Sequence, residues 1–202
     1  MIDKSNFLLT DKNFHSEIHE KKYIVIGNSF NSRMNHFYGW RNRSNGSYKN
    51  VSHFTIDVDG TIYQHFDTKY YCEFLRNSLY NKNLISITLV NQGWFDYDVM
   101  DRTFINYMGN PYSGNTVERR WRNHTFWESY KDEQVKSLID LSLHLLDEFN
   151  IAKNVLSHNT FVKDMNNFTG ISYRSNWIKD CTDLNPSFDF EIFKNKIEDN
   201  GI

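Results

Sequence analysis

Residues 51–66 constrain the fold more than any other stretch of this chain. Val51-Ser52-His53-Phe54-Thr55-Ile56-Asp57-Val58 alternates, Asp59-Gly60 interrupts the pattern, and Thr61-Ile62-Tyr63-Gln64-His65-Phe66 alternates again. Period-2 alternation sends successive side chains to opposite faces of a strand. An Asp-Gly pair between two such runs predicts a hairpin, because the tight turn needs a positive φ that glycine adopts without a Cβ penalty. His53 and His65, one in each arm, read as half-buried strand residues.

Two further runs, Lys22-Tyr23-Ile24-Val25-Ile26-Gly27 and Leu84-Ile85-Ser86-Ile87-Thr88-Leu89-Val90, are compact and apolar, of strand length, and stopped by Gly and Asn. They predict buried strands. Residues 131–149 predict a helix. Val135, Leu138, Ile139, Leu145, Leu146 and Phe149 follow the 3.6 period, and Asp132 and Glu133 sit where the helix dipole favours acids. Residues 153–158 predict a short strand and 188–198 a closing helix, while Thr10 is placed to cap a short helix carrying Phe14 and Ile18. Residues 31–50, 94–130 and 159–182 read as irregular. Strands on both sides of one long helix, with a hairpin among them, predict an α/β fold with a mixed central β-sheet packed by a few helices. The expected organisation is one domain over 1–202, with 1–20 as an N-terminal extension and 94–130 and 159–182 as long irregular insertions.

The chain's 202 residues suit a single domain. Its net charge of -2 supplies no bulk attraction to nucleic acid or to an anionic membrane. Cys72 and Cys181 form no Cys-x-x-Cys pair, and a reduced state is expected for both. The opening MIDKSNFLLT lacks a basic start and a long apolar stretch, so no signal peptide is expected. No segment approaches the ~20 apolar residues of a membrane-spanning helix. Cytoplasmic synthesis without a secretion signal is the expectation.

No phosphate loop, nucleophile elbow or His-Glu-x-x-His helix is present. His158, just after a predicted strand, and the tail Asp183-Leu184-Asn185-Pro186-Ser187-Phe188-Asp189 remain. A strand-end histidine with a polar residue downstream reads either as part of a metal site or as a hydrogen-bonded structural residue. Residues 119–127 combine Arg119, Arg120 and Arg122 with Trp121 and Trp127. Trp121, Arg122 and Trp127 read either as a ligand-binding rim, since Trp and Arg dominate interface hot spots, or as aromatics folded back onto the domain under arginine stems.

An ordered set of landmarks resembles the zinc-dependent N-acetylmuramoyl-L-alanine amidases, in particular the bacteriophage lysozyme-type enzymes related to peptidoglycan recognition proteins. Tyr23-Ile24-Val25-Ile26 resembles the first strand and residues 51–64 the family's hairpin. Asp67-Thr68-Lys69-Tyr70-Tyr71-Cys72 resembles the segment ending in a Trp-His pair, and Ile85–Val90 the Ser-Ile-Gly-Ile-Glu strand. Gln134, Val155–His158 and Pro186–Asp189 complete the order across roughly residues 22–195.

The resemblance implies a zinc-dependent hydrolase acting on peptidoglycan, and its functional positions carry over unevenly. The first zinc ligand falls on Gly27-Asn28-Ser29, the second on His158 and the third on Asn185, with Asp183 nearby. The catalytic Glu falls on Thr88, and a Lys of some members on Asp183. The Trp-His pair has become Tyr71-Cys72. A catalytic zinc needs about three protein ligands, and one inherited ligand does not supply them. Cys72 and Asp183, with His36, His53 or Cys181, are the replacements within reach of the same expected cleft.

Two function classes follow. One is a cell-wall hydrolase with a nonstandard zinc site. The other is a pseudoenzyme, with the zinc site lost and the fold used to bind peptidoglycan, muropeptide or a phage structural protein. The resemblance also implies a phage product, carried in the virion or released at lysis.

Overall fold

The computed structural model describes residues 2–32, 34–76 and 78–199. In chain order the elements are β1 (Ile2–Asp3), β2 (Tyr23–Asn28), α1 (Asn35–Asn42), β3 (Phe54–Ile56), β4 (Ile62–Gln64), β5 (Leu84–Leu89), β6 (Trp94–Asp98), β7 (Thr103–Asn106), β8 (Pro111–Tyr112), β9 (Thr116–Trp121), β10 (His124–Glu128), α2 (Asp132–Glu148), β11 (Gly170–Tyr173), α3 (Arg174–Trp177) and α4 (Phe190–Glu198). They form a mixed six-stranded sheet, β1-β4-β3-β5-β2-β11, and an antiparallel five-stranded sheet, β8-β7-β6-β10-β9. This is the α/β architecture expected from the sequence. No helix among the described residues is long and apolar enough to cross a membrane.

The central sheet is mostly parallel: β3, β5, β2 and β11 run the same way, and the β3–β4 hairpin turns one edge antiparallel. Parallel strands covered on both faces carry continuous apolar runs rather than alternation, and β2 and β5 are buried along their whole length. Ile24, Ile26, Ile85 and Ile87 pack with Leu138, Leu141 and Leu145 of α2 and Phe193 and Ile197 of α4. Tyr23 and Val25 turn to the other face, with Phe37 of α1, Cys72 and Phe74. The Gln134 amide staples the start of α2 to two strand ends, donating to the carbonyls of Ile56 and Val90 at 3.0 Å each. The hairpin turn spans residues 58–60: Asp57 N donates to Thr61 O at 2.9 Å, and Gly60 supplies the positive φ of 84°.

Several sequence expectations need correction. Residues 94–130 are not irregular, because β6 to β10 form the second sheet there. Its strands are short and their outer residues polar, as in Trp94-Phe95-Asp96-Tyr97-Asp98, so the hydrophobic signal is diluted. Residues 31–50 contain α1, whose buried face consists of His36 and Phe37, too little to register as a period. Within 159–182 lie β11 and α3. β11 takes the sheet-edge position, and the segment predicted as the strand 153–158 contributes only a bridge between Val155 and Ile171. Thr10 precedes a single 3-10 turn, Asp11–Asn13, instead of a helix through Ile18, which is 69% exposed.

Candidate functional site

In open α/β sheets, ligands gather at the carboxyl ends of parallel strands. Here the register sets Gly27 of β2 beside Thr88 of β5, and Tyr173 of β11 beside Ile26. Arg174 therefore emerges next to Gly27. A cleft of about 430 Å³ opens over these ends. Asn28, Thr88 and Arg174 line its sheet side, and α1, the 43–50 segment, Phe74 and Arg76, and residues 178–181 wall it.

A buried ion pair closes the sheet end of the cleft. The Arg174 Nε–H donates to Asp183 Oδ2. Asp183 is wholly buried, and the guanidinium lies 5.2 Å from the Phe74 ring. Burial opposes the Arg174 charge, but Asp183 and Cys181 outweigh it and hold the Arg174 pKa above its ordinary value. The pair lies directly over Gly27. A Cβ there would come within 2.8 Å of Arg174 Nε and 2.9 Å of Asp183 Oδ2, closer than real Cβ atoms approach. Glycine is thus what this packing requires at that position.

Asn28 and Asn185 are tied into the same polar seam. Tyr130 Oη donates to Asn28 Oδ1 at 2.7 Å and accepts from Asn185 N at 3.4 Å. The Asn185 amide donates to Asn91 Oδ1 at 2.9 Å and to Glu128 O at 3.3 Å. Asn185 Oδ1 accepts from Ser187 Oγ at 2.6 Å. Asn185 is a clamp joining the exit of β5 to the end of β10.

His158 faces rings. Phe190 stacks at 5.1 Å, with Tyr173 at 5.9 Å and Phe188 at 6.1 Å. Burial, and then the Arg119 charge, pull its imidazole down to about 4. Cys72 lies in the core on the opposite face of the central sheet. Its thiol donates to Val51 O at 3.0 Å and meets Ser86 Oγ at 3.4 Å, and burial pushes it up to about 11. The sheet therefore separates Cys72 from His158.

His53 and His65 are fully buried rather than half-buried. His53 engages Ser86 Oγ at 2.8 Å and Tyr70 O at 3.1 Å; His65 engages Thr55 Oγ1 at 2.8 Å and Phe7 O at 2.7 Å. His36 borders the cleft and meets Thr55 Oγ1 at 3.2 Å. Cys181, on the cleft wall, is a free cysteine like Cys72.

The residues present do not fit a catalytic zinc. Gly27 has no side chain, Asp183 holds Arg174 through Oδ2 and leaves Oδ1 without a partner among the described residues, Asn185 is spent on the clamp, and His158 is caged by aromatics. Among the described residues no three His, Cys, Asp or Glu side chains are placed to share a metal ion.

The aromatic and basic segment is split: Arg119 and Arg120 are exposed, Trp121 and Arg122 half-buried, and Trp127 turns inward. Trp127 is wholly buried and donates from Nε1 to Arg119 O at 2.7 Å, which removes it from any ligand-binding rim. Trp121 packs 5.6 Å from it, with Arg122 over the Trp121 ring at 4.7 Å. Arg122 donates to Cys181 O at 2.6 Å and Arg119 to Pro186 O at 3.0 Å, so β9 is pinned to the 181–187 segment.

Sequence reasoning missed Arg174, Tyr130, Asn91 and Glu128. The only signal for Arg174 is its place immediately after the β11 residues Gly170–Tyr173, a run too short to stand out.

A family model described as N-acetylmuramoyl-L-alanine amidase matches residues 19–170. No curated protein matches the chain. Among solved structures, the N-acetylmuramoyl-L-alanine amidase LysC from Clostridium intestinale is similar at 17% identity and TM-score 0.56, covering 98% of this chain and 97% of that one. A mutant endolysin from Bacillus subtilis is similar at 16% identity and TM-score 0.57, covering 98% and 99%. The amidase AmiD from E. coli, in complex with the substrate anhydro-N-acetylmuramic acid-L-Ala-D-gamma-Glu-L-Lys, is similar at 13% identity and TM-score 0.57, covering 90% and 59%. Likeness at these identities is a likeness of fold.

Proposed function

The chain belongs to the N-acetylmuramoyl-L-alanine amidase family, and from that membership we propose that it is a peptidoglycan-directed domain that holds wall fragments in the strand-end cleft without the family's zinc-dependent cleavage. The observation that carries this reading is the Arg174–Asp183 pair seated over Gly27, where the resemblance puts the first zinc ligand.

Zinc in this family would supply an activated water and a polarised carbonyl. In this chain the corresponding space holds a guanidinium, which stays protonated at all ordinary pH and can neither bind a metal nor accept a proton. Thr88, at the expected position of the catalytic Glu, borders the cleft with a hydroxyl and supplies no carboxylate base. What these residues do is bind and orient. Arg174 is held rigid by Asp183 and Phe74, and Asn28 is oriented by Tyr130. A phage origin belongs to this reading, supported by the endolysins that share the fold. No observation supports a phage structural partner.

The test uses the purified chain with isolated sacculi. Co-sedimentation is expected, with no release of peptide from N-acetylmuramic acid whether or not zinc is added. Zinc-dependent release abolished by His158→Ala would sink the non-catalytic reading, and failure to sediment would sink the wall-binding one.

A further inference from the structure

The second sheet turns an aromatic face outward. In register, Phe95 lies opposite Phe126, Tyr97 opposite Phe104, and Phe104 opposite Tyr112. The Tyr97, Phe104 and Phe126 rings meet one another at 5.2, 5.0 and 6.4 Å, and Phe95 is covered by Tyr112, stacked at 4.1 Å. Successive strand residues alternate faces, so Trp94 and Trp127, the next pair in the register, point the other way, where Trp127 is wholly buried. Tyr97 is 46% exposed, and the β6–β7 turn beside it presents Val99 at 74% and Met100 at 91%. A contiguous apolar patch with a polar rim marks an interaction surface.

The rim says what covers it. β9 is the outermost strand on this side of the sheet, and its Glu118 lies opposite Phe126. Arg120 follows two residues on. Both are exposed, and among the described residues neither meets an opposite charge. In the β6–β7 turn the side chains of Asp101 and Arg102 are exposed and unpaired in the same way. Each rim therefore carries one unmet charge of each sign. A polyanion or an anionic bilayer would meet a carboxylate for every guanidinium, and a neutral glycan would bring nothing to either. A copy of the same surface brings both signs in equal number.

The face is better suited to dock than the edge. The ladder between β9 and β10 shifts register between Glu118 and Trp121. Such a bulge guards an edge against an added strand.

We propose that the chain forms an isologous dimer through this aromatic face, each copy covering the same patch on the other. The two-fold axis crosses the strands between the Phe95–Phe126 pair and the Tyr97–Phe104 pair. Rings of the two copies then interleave as in the core between two packed sheets. β9 lies antiparallel over its counterpart, with Glu118 facing Arg120 of the second copy, and the symmetry repeats that contact. No residue of the patch lines the strand-end cleft.

The test is sedimentation velocity on the intact chain, in the absence of wall material. The mass is expected to rise from monomer towards dimer between about 1 and 100 µM, the range of a small interface. Glu118→Arg and Arg120→Glu each bring like charges together and should weaken association about tenfold, whereas the double reversal should restore it to within about threefold. Tyr97→Asp should abolish it. All three positions are exposed, and thermal melting by circular dichroism checks that each variant folds. A monomer at every concentration, a dimer indifferent to the single reversals, or a double reversal that fails to restore it overturns the proposal. A monomer whose tryptophan fluorescence shifts on adding chitotetraose overturns it too, and gives the face to a glycan.

Discussion

The two sheets of this chain use their side chains in opposite ways. In the central sheet β2 and β5 are buried along their whole length and built mainly from Ile, Leu and Val, and among the described residues most polar side chains there are hydrogen-bonded, Asn28 Nδ2 and Tyr173 Oη excepted. In the second sheet the strands are half exposed and aromatic, with Phe95, Phe104, Tyr112 and Phe126 sharing one face and Asp96, Glu118 and Arg120 reaching solvent. It is anchored at its base, through buried Trp127 and the Asn185 clamp. The difference teaches where tolerance lies: the first sheet holds the cleft and cannot shift, whereas the second can loosen at its tips without disturbing the strand ends.

The sharpest test of that contrast is Asp183→Ala. It leaves the Arg174 guanidinium buried without its counter-charge, and a loss of about 3–5 kcal/mol is expected by urea denaturation. Arg122→Ala in the turn between β9 and β10, which removes a half-buried donor to Cys181 O, should cost only about 1 kcal/mol. Comparable losses would erase the distinction between the sheets.

Ile87→Ala, in the middle of β5, is expected to cost about 3 kcal/mol through lost burial and a residual cavity.

Acid separates the sheets further. Burial, then the nearby Lys21 charge, pull His53 down to about 3, and burial pulls His65 down to about 4. The unfolded chain therefore binds protons first as pH falls. Their stabilisation is whole above about pH 6.5 and is lost as pH falls from there towards the folded values, roughly 2 kcal/mol for each by pH 5. His124 in the second sheet is lowered by burial, which Asp96 opposes, and is only half buried. His65→Gln should flatten the pH dependence of the melting temperature, and His124→Gln should not.

Phe104→Ala, like Arg122→Ala, is expected to cost only about 1 kcal/mol, here for a half-buried ring. Amide exchange near Val99 and Tyr107 should quicken while β5 stays protected. Loss of β5 protection would mean that the two sheets unfold as one.

Legibility in the sequence follows the same division. The hairpin at 51–66, the strands at 22–27 and 84–90 and the helix at 131–149 are readable, because a buried element writes its period or its apolar run into its own residues. The second sheet is not readable, because half-exposed aromatics alternate with charges over strands of six residues or fewer. At the site, alignment with the family's landmarks picks out Gly27, Thr88, Asp183 and Asn185 as positions of interest. It does not say what they touch.

What the sequence determines by itself is local: which buried segments are strands, where the long helix runs, and that Gly27 and Asn185, where the resemblance puts two of the family's zinc ligands, carry no usual zinc-ligand side chain. What only the tertiary structure decides is which distant side chains meet. Parallel register carries Arg174 to the end of β2, and the tail brings Asp183 back over Gly27, although Gly27 and Arg174 are far apart along the chain. The sheet places Cys72 and His158 on opposite faces, so their types, both suited to a metal, never combine. Side-chain chemistry is written residue by residue, but an ion pair or a pocket is a property of the distances between residues, and those are set by packing.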